Sequence, residues 1–478
     1  MQDKDKSGSC KTENQMNIHI IGVCGVATGA LACMLKETGH EVSGSDSNMY
    51  PPMSSVLKNS QITLYDEYNI KNIKSPDIVI VGNAISRGNV ELEYVLNKRL
   101  EYISMPSAIK QFFLKDKEVI AVCGTHGKTT TTALLAHILI CAGLEPSFFV
   151  GGLSINYNSN FKLGKGKYFV IEGDEYDSAY FEKFPKFIRY QPHHAILTSL
   201  EFDHADIYAD VNEIKKWFKY LLNIISSNGI IVYSNEDSNL SEIISSARSV
   251  CKSFGLKDAD YNFKFAEYSK HFSKIELASK LNVFNLETHL FGDFNYSNIC
   301  AASAMALELG VDKETIIEAV KTFKGVKRRQ EILIESKDMI LYEDFAHHPT
   351  AIENVLSSMK SRYPNSQIWA VYEPRSATSR RNVFQSQLPQ AFSSAQTIIL
   401  MTPFNMDKIA PNNRIDVNHV YNELILQGKD AWLFDNSEEI ANKIIHEPKD
   451  KHTVAVIMSN GEFDGLYDKI RKLKNNLY

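Results

Sequence analysis

The sequence predicts an α/β protein of three consecutive domains. Three observations lead to that class. Apolar strand-like runs alternate with helix-like stretches along the chain, as in a mostly parallel sheet wrapped by helices. The alternation restarts near residues 115 and 327, which divides the chain into 17–115, 116–327 and 328–478. A length of 478 residues exceeds what one ordinary core organises.

The elements bear this reading in order. The opening "MQDKDKSGSCKTENQ" is polar and lacks an apolar signal core, so residues 1–16 are expected to be a disordered tail. "NIHIIGV" (17–23) reads as a strand, "TGALACMLKETG" as a helix and "HEVSGSD" as a strand; "PDIVIVGNAI" and "EYIS" follow as strands. The second unit opens on "VIAVCGTHGKTTTTALLAHILICAG" (119–143): strand, tight glycine turn, long helix. "KYFVIEGDEYD" and "HHAILTSLEFDHAD" read as strands ending in acids and histidines. Helix-like "VNEIKKWFKYLLNII", the strand "GIIVYSN", and the helices "SNICAASAMALELG" and "KETIIEAVKTFKG" complete the unit. In the third, "MILYEDF", "QIWAVYEP", "QTIILMTPF" and "TVAVIMSN" are continuous apolar runs, as in strands covered on both faces.

Composition narrows the function. Hydrophobic residues make up 44% and charged residues 23%, in the range of soluble globular proteins. The net charge is −5 with signs interspersed, and Lys327–Arg329 is too short a basic run to suggest a nucleic-acid partner. Seven scattered cysteines without C-x-x-C suit reduced thiols and a cytoplasmic setting. No run reaches the length of a membrane span, so no membrane insertion is expected.

Several motifs carry chemistry. Gly124, Gly127, Lys128 and Thr129 look like a phosphate-binding loop, although the first glycine of G-x-x-x-x-G-K-[ST] falls on Val122. Such a loop aims backbone N–H groups and a helix N-terminus at phosphate, with Lys128 on the β- and γ-phosphates and Thr129 on Mg²⁺. Glu172, Asp174, Glu175 and Asp177 end one strand, and Glu201, Asp203, His204 and Asp206 end another. Ligands of open α/β sheets bind at the carboxyl ends of strands, so both clusters should face the loop. Mg²⁺ needs only one or two carboxylates, and Asp174, Glu175 and Asp206 are read as solvated charges. Gly22, Gly25 and Gly29 permit a tight turn before a helix, but Cys24 and Ala27 stand where a dinucleotide fingerprint needs glycine. Asp46 ends the next strand, where a ribose or base contact is usual. Asp344, His347 and His348 end a strand, with Pro349 able to start a helix. Adjacent histidines point in different directions and no third ligand has suitable spacing, so no zinc site is expected there. Arg375, Arg380 and Arg381 follow another strand; they suit carboxylate or phosphate recognition, or are simply solvated.

Together these motifs resemble the ATP-dependent Mur ligases. The resemblance rests on G-T-H-G-K-T-T (124–130), both acid clusters, a G-x-x-N-x-x-N helix start at Gly292, Asn295 and Asn298, the R-R pair from Arg328, and D-[FY]-x-H-x-P from Asp344. It runs in order from about Asn17 to the C-terminus. It implies an N-terminal Rossmann-like domain for a UDP-sugar, a central P-loop ATPase-type domain and a C-terminal Rossmann-like domain that closes over the site. It implies ATP contacts from Gly124, Thr125, His126, Gly127, Lys128, Thr129, Thr130, Asn295, Asn298, Arg328 and Asp344, and UDP-sugar contacts from Gly22, Gly25 and Asp46. Catalytic roles fall on Lys128, Glu172, His204 and His347. Two Mg²⁺ ions are implied, with Thr129, Glu172 and His204 as ligands. The pattern departs from the family where Phe294 replaces the histidine of G-x-H-N, and where Glu343 begins the usual D-D pair. Phe218 stands where some members carry a carbamylated lysine, with Lys215 and Lys216 nearby, so no carbamate is expected.

Two members share the "HIIGVCG"-type start: one couples UDP-N-acetylmuramate to L-alanine, the other to the murein tripeptide L-alanyl-γ-D-glutamyl-meso-diaminopimelate. "GSDSNMYPPMS", "LEFDHAD", "EPRSATSRRNVFQ" and "MSNGEFDGL" resemble the second. Arg375, Arg380 and Arg381 are then expected to bind the tripeptide's carboxylates. The implied chemistry is acyl phosphate formation followed by amine attack, in a monomer or weak homo-oligomer of the bacterial cytoplasm. The open alternatives are L-alanine as the amine and, in another class, a nucleotide-driven switch that hydrolyses ATP without a sugar. Folylpolyglutamate synthetase shares the central chemistry but lacks a first domain like residues 17–110.

Overall fold

Alternating apolar runs and glycine turns build three sheets in a computed structural model that describes residues 15–49, 53–268, 272–281, 283–447 and 451–475. Most of the expected tail lies outside the described residues. The first sheet comprises β1 (Asn17–Ile21), β2 (Glu41–Ser45), β3 (Thr63–Tyr65), β4 (Ile78–Val81) and β5 (Tyr102–Ser104), all parallel in the order β3-β2-β1-β4-β5. The order reverses at β1, and there the helix Val26–Glu37 begins after Gly25 with no side-chain cap.

The second sheet has ten strands. They are β6 (Glu118–Cys123), β7 (Ser147–Ser154), β8 (Ser159–Lys162), β9 (Tyr168–Gly173), β12 (His194–Leu197), β13 (Ile230–Ser234), β14 (Val250–Gly255), β15 (Tyr261–Tyr268), β16 (Ser273–Ser279) and β17 (Val283–Thr288). A small hairpin, β10 (Asp177–Ala179) with β11 (Glu182–Pro185), stands apart. The order is β17-β16-β15-β14-β13-β12-β6-β9-β7-β8, with antiparallel pairing only at the two ends. The phosphate-loop strand β6 lies between β9 and β12, parallel to both. The two acid clusters therefore flank the loop, as expected. The strands stop sooner than the sequence suggests: β9 ends at Gly173 and β12 at Leu197, so most of the acids stand on loops.

The third sheet joins β18 (Glu331–Glu335), β19 (Met339–Asp344), β20 (Gln367–Tyr372), β21 (Thr397–Met401), β22 (Asp430–Phe434) and β23 (Thr453–Met458). Its order is β18-β19-β23-β20-β21-β22, parallel except for β18. Its two faces carry separate apolar cores, around Ile352 and Leu356 on one side and Ile440 and Ile444 on the other. The first two sheets share one contiguous core, which includes Ile80 of β4, Met105, Ile109 and Phe113, and Val119 and Ala121 of β6. Phe218 belongs to that core, edge-on to Phe187 at 5.4 Å, while Lys215 pairs with Glu242 at the surface.

Candidate active site

The loop after β6 is shaped by close backbone approach. Gly127 has φ +81 and caps the helix Lys128–Cys141; a Cβ there would lie 2.2 Å from Asn298 Oδ1. Gly124 has φ +137, and a Cβ would lie 2.2 Å from Thr198 Oγ1. Only glycine fits such positions. The loop is fixed from the β12 side: the Thr125 amide donates to Ser199 O at 3.0 Å and the His126 amide to Ser199 Oγ at 2.9 Å. The first-turn amides of Lys128–Thr130 have no intrahelical acceptor and face a cradle suited to phosphate.

Lys128 Nζ donates to Gly124 O at 2.5 Å and to Glu175 Oε2 at 2.7 Å. Burial would lower the Lys128 pKa, but Glu175 and Asp174 carry it above its ordinary value. Burial raises Glu175, with Asp174 adding to the rise. Asp174 is held down against burial by Lys186 and Lys128. The reading of Asp174 and Glu175 as solvated charges is therefore corrected: Glu175 is buried and Asp174 pairs with Lys186 at 2.8 Å. Asp206 is exposed, as read.

Thr129 Oγ1 lies 3.0 Å from Glu172 Oε1, and the other Glu172 oxygen accepts the Gly151 amide at 2.7 Å. A buried hydroxyl beside a carboxylate is an oxygen donor set that fits Mg²⁺. His204 groups with Asp174 and Glu175, their ligand atoms within 4.8 Å of one another. Glu175 Oε1 and His204 Nδ1 are buried without a hydrogen-bond partner, so this group also has unspent donor capacity. His204 has φ +56, in the left-handed region that few residues other than glycine occupy.

The C-terminal domain closes the cleft. Thr378 Oγ1 accepts the Ala205 amide at 3.1 Å, Thr350 Oγ1 donates to Glu201 Oε2 at 2.8 Å, and His348 Nε2 lies 3.2 Å from Phe202 O. Burial would raise Glu201, but His126 and Thr350 bring its pKa to about 2. Asp203 likewise falls to about 2 against burial, through His204, His347 and His348. Burial lowers His347, whose Nδ1 lies 3.0 Å from Phe345 O.

Asn295 and Asn298 start the helix Asp293–Glu308 and are buried behind the loop. Asn295 Nδ2 donates to Phe291 O at 3.0 Å and Gln330 Oε1 at 2.9 Å. Asp344 accepts the Gln330 and Ala346 amides at 2.9 and 2.8 Å, which fixes the linker between domains. Arg328 is committed to the same linker: its guanidinium meets Glu343 Oε1 at 2.6 Å and donates to Ser459 O and Gly461 O. Arg329 lies over the Phe345 ring at 4.6 Å, within electrostatic reach of Asp344 and Glu172. Sequence reasoning missed Arg329 because two adjacent arginines carry no signal of which one faces inward.

In the first domain, Asp46 accepts the Cys24 amide at 2.9 Å and the Asn48 amide at 3.0 Å, holding the turn that carries Gly22 and Gly25. After β20, Arg375 pairs with Glu373 at 3.2 Å and lies 4.2 Å over the Phe404 ring. Arg380 is not merely solvated: it donates to the carbonyls of Phe404, Asn405 and Ser376. Arg381 Nε is buried without a partner.

Three family profiles match in series: "Mur ligase family, catalytic domain" over residues 17–117, "Mur ligase middle domain" over 122–306 and "Mur ligase, glutamate ligase domain" over 328–461. The chain belongs to the Mur ligase family. It is therefore an ATP-dependent ligase that forms peptide-type C–N bonds. It is 34% identical over 460 residues to the UDP-N-acetylmuramate–L-alanyl-γ-D-glutamyl-meso-2,6-diaminoheptandioate ligase of Haemophilus influenzae, covering 95% of this chain and 98% of that one. It is 32% identical over 387 residues to the UDP-N-acetylmuramate–L-alanine ligase of Clostridium tetani, covering 80% and 82%. Among solved structures, the murein peptide ligase of Psychrobacter arcticus matches with TM-score 0.73 and 31% identity, over 97% of this chain and 99% of that one. The UDP-N-acetylmuramate–alanine ligase of Thermotoga maritima matches with TM-score 0.80 over 97% and 100%, but at 24% identity it speaks for the fold alone.

Proposed function

We propose that this Mur ligase joins UDP-N-acetylmuramate to the tripeptide L-alanyl-γ-D-glutamyl-meso-diaminopimelate, at the expense of ATP, in the recycling of cell-wall peptide. The similarity over 95% of the chain to a ligase named for that tripeptide carries the substrate assignment. The cleft supports the reaction class, because the phosphate loop, the acid clusters and Arg329 converge beneath the docked C-terminal domain. The domain cuts near 115 and 327 are adopted in this reading.

The lactyl carboxylate attacks the γ-phosphorus of ATP, and ADP leaves. The tripeptide's alanyl amine then attacks the acyl carbon, and phosphate leaves as the amide forms. Two anions must meet in the first step, so the site's task is to supply positive charge. Lys128 turns from Glu175 onto the β- and γ-phosphates, and Arg329 adds a second cation from the domain linker. Thr129 and Glu172 would hold one Mg²⁺ and His204 a second, which when bound would neutralise phosphate charge and orient the reacting oxygens. Asn295 and Asn298 back the loop on the nucleotide side, and Gly22, Gly25 and Asp46 shape the UDP turn. His347 lies on the amine side, and Arg375 and Arg381 are the guanidinium groups offered to the tripeptide carboxylates. The docked domain keeps water from the acyl phosphate. Among the described residues no helix is long and apolar enough to cross a membrane, and ATP and a UDP-sugar place the reaction in the cytoplasm.

The test is to follow a heavy-oxygen label placed in the lactyl carboxylate. One labelled oxygen should appear in the released phosphate. Unlabelled phosphate would mean direct hydrolysis, the behaviour of a nucleotide-driven switch. Coupling to L-alanine is the second reading, favoured by the 32% identity to the Clostridium tetani enzyme.

A further inference from the structure

His347 and His348 have no third ligand at useful spacing along the chain, but the fold supplies ligands from another domain. His126 of the phosphate loop, Glu201 of the loop after β12, and His348 before the helix Pro349–Arg362 each bring a ligand atom within 4.8 Å of the others. Glu201 Oε2 lies 3.5 Å from His126 Nε2 and 3.9 Å from His348 Nδ1. His126 Nε2 is buried, and Glu201 Oε2, at 3.5 Å, is too far away to make a full hydrogen bond to it. The His348 side chain is 4% exposed. Its Nε2 sits 3.2 Å from the Phe202 carbonyl oxygen, which can only accept, so the proton is on Nε2 and the lone pair on Nδ1. That lone pair is engaged only by a long 3.3 Å bond from the Thr350 amide, which a cation would replace. A backbone carbonyl holding the far nitrogen is the usual way a metal-binding imidazole is oriented.

The donor set decides the cation. Two imidazoles and one carboxylate suit zinc, whereas magnesium takes oxygen ligands almost throughout. Glu201 is 35% exposed, which leaves an entry path and room for a water as fourth ligand. We propose that His126, Glu201 and His348 form a binding site for a zinc-class divalent cation that fastens the C-terminal domain to the phosphate loop. It is separate from the Thr129–Glu172 and His204 groups assigned to Mg²⁺, and it does not depend on which amine the enzyme uses. A bound cation ties the loop to the domain that covers it, so zinc acts as a brake on opening of the cleft.

The test uses the full chain without nucleotide, titrated with zinc chloride against a chromophoric chelator. Wild type should hold a zinc ion that His348→Asn and Glu201→Gln each weaken by more than the roughly 10–100-fold that loss of an orienting partner alone costs. Asparagine at 348 preserves the helix N-cap, and glutamine at 201 preserves an acceptor for Thr350. If one variant does not melt cooperatively, the other decides. His204→Ala, in the neighbouring group, should retain the site. Zinc should also slow amide exchange in 124–129 and 346–352 together in wild type, and not in His348→Asn. The proposal is overturned if wild type holds no zinc at equimolar concentration. It is equally overturned if both variants hold it as wild type does, or if exchange slows in neither segment.

Discussion

Lys128 pairs with Glu175 at 2.7 Å beside the phosphate loop. Lys128→Ala should abolish ADP release, a barrier increase on the order of 3–4 kcal/mol, as for other preorganised electrostatic donors. UDP-N-acetylmuramate binding, measured calorimetrically, should persist, because Gly22, Gly25 and Asp46 follow strands of a different sheet. Near-normal turnover would remove Lys128 from the site. Arg375 and Arg380 make a second contrast. Arg375→Lys should raise the tripeptide KM by roughly 1.5–3 kcal/mol, the value of a charged hydrogen bond, and leave the KM for ATP unchanged. Arg380→Ala should lower the melting temperature instead, because its guanidinium binds three main-chain carbonyls. Steady-state kinetics beside thermal melts separate the two, and identical effects would show that this loop does not read the peptide. The loop residues 124–129 were legible in the sequence because their spacing is local. Glu175 and Arg329 were not, because burial and direction are set by contacts between segments that are distant in sequence.

At the scale of elements, the strand–loop–helix of 118–141 depends on a backbone without a side chain at Gly127. Gly127→Ala places a methyl group on Asn298 and forces φ +81 on an L-residue, so ATP affinity should fall while UDP-sugar binding holds. Unchanged ATP affinity in a binding titration would show that the cradle is not formed there. Farther along the same helix, His137 is buried between Tyr157 and Thr322, at 2.7 and 3.1 Å, and burial lowers its pKa to about 4 from 6.5. A base held neutral by the fold contributes stability that is full above pH 6.5 and lost as pH falls toward 4. Wild-type stability should therefore rise with pH across that window, and His137→Asn should reduce the slope by up to about 1.4 kcal/mol per pH unit, the worth of one proton. Denaturant melts across the window measure it, and an unchanged slope contradicts the assignment. The apolar strands of the third sheet were legible because burial on both faces leaves unbroken runs. β15 and β16 went unread: their buried residues, such as Tyr261, Phe263, Ile275 and Leu277, are interleaved with polar ones, so no unbroken apolar run marks them.

At the scale of the molecule, three sheets in series could be read from two restarts of one pattern, and the family profiles match in the same order. How the C-terminal domain docks could not be read, since the contacts of Thr378, Thr350 and His348 with residues 201–205 join segments more than a hundred positions apart. That docking brings His347 within electrostatic reach of Asp203, and Arg380 within that of Asp206. The tripeptide is assigned as the amine substrate through the similarity to a ligase named for it. The measurement is ADP release with UDP-N-acetylmuramate and Mg²⁺-ATP, comparing the tripeptide with free L-alanine at matched concentrations. Turnover with the tripeptide and a far lower kcat/KM with L-alanine are expected; a preference for L-alanine would overturn the tripeptide assignment.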